Sequence, residues 1–295
     1  MHLSTHNWMR AETLETTLRR IRRLGFESIE ISGEPAQYKA DDTRRLLDRH
    51  GIRCWGAVTL QLGERNLAAR DPAQRARSVE YVKSVVRMVG DLGGAMATVV
   101  PTTVGKVVPD GKPEEEWNWV VDGLQQVYEL SERVGVRLGL EPLNRFETYF
   151  LNRADQAMAL AEAVGPNCGV CLDAFHLNIE EADMFAAIRA AGPRLVDFHV
   201  ADNNRLAAGM GALDWPRIVR TLREIGYDGA LTNEFVAAID RTPVSPFPDQ
   251  IEPNPVDISP EQLKFIEDHG SSLLSEAFYT SLMAKTAQTL LPLIG

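Results

Sequence analysis

Glu141, Asp173, His199 and Glu234 each close a short apolar or β-branched run: Val136–Glu141, Cys168–Asp173, Arg194–His199 and Gly229–Glu234. From 141 to 173, 199 and 234, each step is about the length of one strand–helix unit. Four consecutive strand ends therefore deliver three carboxylates and one imidazole to the same half of one mouth. Carboxylates turned inward are costly unless they meet cations, and three together repel. A bound dication is the simplest compensation. Mixed oxygen and nitrogen donors suit Mn2+, Co2+ or Mg2+ better than a thiolate-seeking metal, and Zn2+ stays open. Taken singly, a strand-end Asp reads as a helix N-cap and a lone His as a satisfied polar residue. The joint pattern carries the metal reading.

The elements that must position these residues alternate along the chain. Leu3–His6 reads as a first strand, and Leu14–Gly25 follows with apolar residues at helical spacing. Ser28–Ser32, Ile52–Leu60 and Ala95–Val100 read as strands two to four. Asp41–His50, Pro72–Leu92 and Glu114–Val134 read as the helices after them. Strands five to eight are the four runs above, with helices over Ala154–Val164, Ala182–Ala191 and Trp215–Gly226. Strands alternating with helices imply parallel pairing. Eight such units predict one α/β domain over residues 1–295, a (β/α)8 TIM barrel with its active site at the C-terminal strand ends. Thr5-His6-Asn7-Trp8 stands where a Gly-rich dinucleotide loop would follow strand one, which weakens a Rossmann reading. The Pro-rich stretch 241–260 reads as an insertion loop and 261–295 as a helical extension. The tail Ser271–Leu291, apolar at helical spacing, either packs on the barrel wall or meets another subunit.

Bulk properties exclude several partners. The net charge of -10 argues against a nucleic-acid partner, and no run reaches 18 apolar residues. No signal peptide is evident, so the expected location is cytoplasmic. Cys54, Cys168 and Cys171 give no disulfide framework. Cys168 and Cys171 have CxxC spacing, but in a strand they point to opposite faces, so buried thiols are expected.

Three segments make the chain recognisable: Glu141-Pro-Leu-Asn-Arg-Phe-Glu147-Thr, Leu172-Asp173-Ala-Phe-His176 and Phe198-His199-Val-Ala-Asp-Asn-Asn-Arg205. They resemble the xylose-isomerase-like sugar isomerase/epimerase superfamily, closest to the ketose 3-epimerases acting on tagatose and allulose. The resemblance runs over roughly residues 2–240. It implies that Glu141, Asp173, His199 and Glu234 hold one divalent metal, Mn2+ first, and that Glu141 and Glu234 are also the catalytic carboxylates. It implies that Glu147, His176 and Arg205 hold oxygens of a small keto-sugar or a derivative of one. In such a site the metal polarises a carbonyl and stabilises an enediolate. One Glu removes the neighbouring proton and the other returns it on the opposite face. Moving the proton between adjacent carbons instead gives aldose–ketose isomerisation, and the metal site does not separate the two.

The segment after His199 departs from the His-x-Gly-Glu-x-x-Arg of many ketose 3-epimerases and looks more like the branch handling keto-acid sugars. Extended relatives cleave C-glycosides of oxidised sugars with a second subunit, so that lyase-type reading stays as an alternative. A nuclease of the apurinic-endonuclease branch is remote, because it needs three metals and more histidines than this chain's six. A homo-oligomer is expected. His6 and Trp8, after strand one, read equally as substrate contacts or rim packing. Trp55 and Thr59 on strand three lean to packing. Thr102–Lys106 reads as a lid or as a surface loop. Trp117 and Trp119 read as packing or interface residues, and His2, His50 and His269 as incidental.

Overall fold

The strands are short, four to six residues each, and several of the following helices begin at a side chain that caps them. Thr13 accepts from the Thr16 N–H at 3.2 Å, and Asp71 from the Ala73 N–H at 3.0 Å with Pro72 at the first helical position. Asp214 accepts from the Arg217 N–H at 3.0 Å. Each cap satisfies a backbone donor that the first helical turn leaves open. Glycine ends some helices: Gly135 follows the helix Pro113–Val134 at φ 71°, a left-handed conformation that costs other residues energy.

The computed structural model describes residues 1–240, 242–245, 250–252, 256, 260, 263 and 273–295. The first half runs β1 (His2–Thr5), α1 (Leu14–Arg23), β2 (Ser28–Ser32), α2 (Ala40–His50), β3 (Arg53–Val58), α3 (Pro72–Asp91), β4 (Met96–Val99) and α4 (Pro113–Val134). Next come β5 (Arg137–Leu140), α5 (Ala154–Val164), β6 (Gly169–Asp173), α6 (Ala174–Glu180) and α7 (Met184–Ala191). The last are β7 (Leu195–Val200), α8 (Trp215–Glu224), β8 (Ala230–Asn233) and α9 (Glu276–Ile294).

The strands form one parallel eight-stranded sheet in the order β1-β8-β7-β6-β5-β4-β3-β2. The β1–β2 edges meet at a single parallel bridge, His6 to Glu30, and at a bond from the Glu27 N–H to the Leu3 carbonyl of 3.1 Å. The result is a nearly closed (β/α)8 TIM barrel, as predicted. The layer between sheet and helices is aliphatic: Leu18, Ile21, Ile29, Val82, Leu124 and Leu160 are fully buried. β3 and β4 approach so closely at Gly56 that an added Cβ would lie 2.2 Å from the Met96 carbonyl oxygen.

Register places the chemistry. Asp173 pairs opposite His199 across β6 and β7, and Val200 pairs opposite Asn233 across β7 and β8. The Glu234 N–H continues that ladder to the Val200 carbonyl at 3.0 Å, and the Glu141 N–H reaches the Val99 carbonyl at 3.1 Å. All four residues thus sit at the C-terminal ends of β5 to β8.

The helix expected over Ala182–Ala191 is found as α7, but α6 precedes it. Asp173 itself caps α6, accepting from the Phe175 N–H at 2.5 Å and the His176 N–H at 3.3 Å, so the helix starts with no loop. α9 docks on β8: the Thr286 hydroxyl donates to Asn233 Oδ1 at 2.9 Å, and the Tyr279 ring meets Phe235 at 5.3 Å. The start of the expected tail helix, Ser271, lies outside the described residues, as do His269 and much of 241–272.

Candidate active site

The metal-capable side chains converge on His199. Its Nδ1 lies 2.8 Å from Glu141 Oε1 and 3.0 Å from Glu234 Oε2. Ligand atoms of Glu141, Asp173, His199 and Glu234 all fall within 4.8 Å of one another, and all four residues are buried. One Asp173 oxygen caps α6. The other, Oδ2, is buried and without a hydrogen-bond partner among the described residues. A buried orphan oxygen beside two more carboxylates and an imidazole is a donor set that fits a divalent ion.

The electrostatics show the strain of bringing these groups together. Burial alone would strip the proton from His199, but Glu141 and Glu234 beside it raise its pKa well above the usual value. Burial pushes Asp173 well up, and the Glu234 charge adds to this. Glu141 is also raised by burial, whereas on Glu234 the effect of burial is reversed by His199 and His6 and the pKa falls. Two carboxylates on one imidazole nitrogen are thus driven in opposite directions.

A second polar group stands next to this cluster. Asn144 donates to His176 Nδ1 with its backbone N–H at 3.2 Å and its side-chain amide at 3.0 Å. The same amide donates to Glu147 Oε1 at 2.8 Å, and Arg205 donates to that oxygen too. Burial would raise the Glu147 pKa, but Arg205 holds it low. His176 is pushed down to about 4 by burial, with Arg205 adding to the effect, so its ring is neutral at pH 7. Arg205 lies over the Phe175 ring at 4.7 Å and adopts φ 58°, a strained conformation for a non-glycine residue. Its carbonyl accepts from the Val236 N–H at 2.8 Å, two residues beyond Glu234.

Both groups face one cavity that opens to solvent. Glu141, Glu234, Glu147, His176 and Arg205 line one side, and Trp8, Thr59, Leu60, Val100 and Leu143 are among those lining the rest. His6 lies beneath Glu234, its Nε2 3.4 Å from Glu234 Oε1, and its ring packs edge-on against His199 at 4.6 Å. Val104 brings the 102–106 segment to the cavity, and Lys106 bridges to Thr148. Asp202 is turned away from the cavity chemistry. It accepts from the Gly209 and Leu213 N–H groups and from Trp215 Nε1 at 2.8–3.1 Å, so its oxygens organise the loop after β7. Trp117 packs with Phe150, and Trp119 lies under Arg75. Cys54, Cys168 and Cys171 are buried free thiols.

The chain matches the family model described as xylose isomerase-like TIM barrel over residues 18–269. It belongs to this family. Among its family relatives is an L-ribulose 3-epimerase of Mesorhizobium japonicum, 33% identical over 224 residues, 75% of each chain. A D-psicose 3-epimerase of Ruminiclostridium cellulolyticum is 31% identical over 230 residues, 74% of this chain and 76% of the relative. A solved L-ribulose 3-epimerase structure superposes with a TM-score of 0.83 at 26% identity, covering 99% of this chain and 94% of that one.

Within this member of the xylose isomerase-like family, two buried acids of the site escaped the sequence reading. Asp197 Oδ2 lies 3.1 Å and Glu30 Oε2 3.3 Å from His199 Nε2. Trp55 does not face the mouth; its Nε1–H donates to Asp197 at 3.0 Å. Period-2 alternation carries the signal: Asp197 is two residues before His199, and Glu30 is flanked by Ile29 and Ile31 on the opposite face of β2.

Proposed function

We propose that this chain is a divalent-metal-dependent keto-sugar 3-epimerase in which Glu141 and Glu234 move the proton on the carbon beside the carbonyl. That it is an enzyme of the sugar isomerase/epimerase kind follows from its ketose 3-epimerase relatives. The single observation that carries the mechanism is the meeting of both carboxylates on His199 Nδ1, at the wall of the cavity that Glu147, His176 and Arg205 also line.

Glu141, Asp173, His199 and Glu234 would hold the ion, with Mn2+ the first choice and Co2+ or Mg2+ next by donor chemistry. A bound divalent ion supplies Lewis acidity, which makes a C–H beside a carbonyl removable. One carboxylate takes the proton from that carbon, and the other returns a proton to the opposite face. His176 is an acceptor at Nδ1, so its Nε2–H is left to donate to a substrate oxygen. Arg205 and Glu147 hold hydroxyls with a fixed donor–acceptor pair. Leu60, Val100 and Leu143 give the cavity an apolar wall, which would limit water beside a bound sugar.

The same reading takes the substrate as a free keto-sugar, since no Gly-rich phosphate loop occurs in the chain. It takes the assembly as a homo-oligomer, the compartment as the cytoplasm, and residues 1–295 as one barrel domain. Free ketoses, keto-acids and 3-oxo-glycosides, each incubated with enzyme and Mn2+ in D2O, test the proposal. The expected product is a C3 epimer of a free ketose with deuterium at that carbon. An aldose product, a cleaved glycoside or an epimer without solvent deuterium would overturn it.

A further inference from the structure

The two ring nitrogens of His199 face different environments. Nδ1 faces Glu141 and Glu234. Nε2 faces Asp197 at 3.1 Å and Glu30 at 3.3 Å. Asp197 is anchored from two strands. Trp55 Nε1–H of β3 donates to its Oδ1 at 3.0 Å, and the Thr232 hydroxyl of β8 reaches Oδ1 and Oδ2 at 3.3 and 3.4 Å. Glu30 is less constrained: its Oε1 is buried without a partner among the described residues. Asp197 is therefore the better fixed of the two acceptors.

We propose that Asp197, held by Trp55 and Thr232, sets the tautomer and ring angle of His199 and thereby sets how tightly the Glu141–Asp173–His199–Glu234 site binds a divalent ion. Asp197 is a positioning residue, acting through His199. The inference rests on the metal reading of the site.

The physical reason is proton placement on the ring. A neutral imidazole carries one N–H, and a ligating nitrogen needs its lone pair. An ion on Nδ1 requires the remaining proton to sit on Nε2, where Asp197 accepts it. A carboxylate there fixes the ring and makes the ligating nitrogen more basic. Asp197→Asn would invert this arrangement. The Trp55 donor still needs an acceptor, so the amide oxygen stays at Oδ1 and the amide nitrogen takes the place of Oδ2. That nitrogen presents N–H to Nε2, which must become the acceptor. The ring proton then moves to Nδ1 and blocks the ligating lone pair.

The test uses the metal-stripped full chain titrated with Mn2+ and, separately, with Co2+. Calorimetry reads Kd, visible absorption reads the Co2+ ligand field, and the melting temperature of the metal-free protein is followed in parallel. D197N is expected to weaken Kd by about 10- to 100-fold and to change the Co2+ spectrum. W55F removes one anchor of Asp197 without altering a ligand, and is expected to weaken Kd by roughly three- to tenfold. It also decides the matter if D197N fails to fold. A merely structural role would lower the metal-free melting temperature and leave Kd at the parent value in whichever variants fold. That result would overturn the inference. A parent chain that binds neither ion would instead overturn the metal reading on which it rests.

Discussion

Asn144 meets Nδ1 of His176 twice, with its backbone N–H at 3.2 Å and its side-chain amide at 3.0 Å. With Nδ1 occupied as an acceptor, the proton of His176 is confined to Nε2 on the cavity side. The same Asn144 amide reaches Glu147, so one short side chain orients two residues of the cavity wall.

Asn144→Leu keeps the branched shape and removes three side-chain bonds, those to His176 and Glu147 and the one from the Phe146 N–H. It is expected to lower kcat/KM on the best ketose by about tenfold or more, the value of one to two hydrogen bonds. Steady-state kinetics checks this, and kinetics equal to the parent would show that His176 and Glu147 do not need the brace.

Glu234→Gln and Glu141→Gln test the proton-transfer pair. Each is expected to lose about 10²- to 10⁴-fold in kcat, the usual worth of a positioned acid or base. Circular dichroism should show the fold retained. Near-normal turnover in either variant would remove that residue from proton transfer.

Chelation should abolish turnover, and Mn2+ or Co2+ should restore it. An ion that binds the folded chain also stabilises it, by about 2.7 kcal/mol at a hundred times its Kd. Thermal melts with and without added ion read this directly. Full activity together with an unchanged melt after metal stripping would defeat the metal reading.

Glu12 offers a pH test far from the chemistry. Its side chain is buried and accepts from Arg10 Nη1 at 2.6 Å, Arg20 Nη2 at 2.8 Å and Thr17 at 2.7 Å. Burial would raise its pKa, but Arg20 and Arg10 reverse this and hold it below 4.5. A folded pKa below the unfolded one adds stability above the unfolded value, and that stability is lost as pH falls through the folded one. Glu12→Gln should therefore be less stable than the parent at pH 7, by about 3–5 kcal/mol. The gap should shrink as pH drops below about 4.5. Urea denaturation across pH 3 to 7 measures it, and a gap constant with pH would refute the ion pair's role.

The barrel was legible because its strands are apolar runs cut by turns, and because Gly and capping residues mark several helix ends. The four strand-end donors were legible because each interval spans one strand–helix unit. α6 was not, since Asp173 is at once the last strand residue and the helix cap, which leaves no turn signature between them. Asp197 and Glu30 were missed for a different reason. They lie within their strands rather than at the ends, where a buried acid looks like an exception to the apolar pattern. Trp55 leans to packing in the sequence, which does not reveal that its indole serves a carboxylate beside His199.

The bond from Thr286 to Asn233 spans 53 positions of sequence. During synthesis, Glu141, Asp173, His199 and Glu234 all leave the ribosome before the helix that braces β8 from behind. A nascent barrel thus holds its complete donor set while the strand next to Glu234 still lacks its outer support. The strand that leads into Glu234 thus gains its last partner from the final helix of the chain.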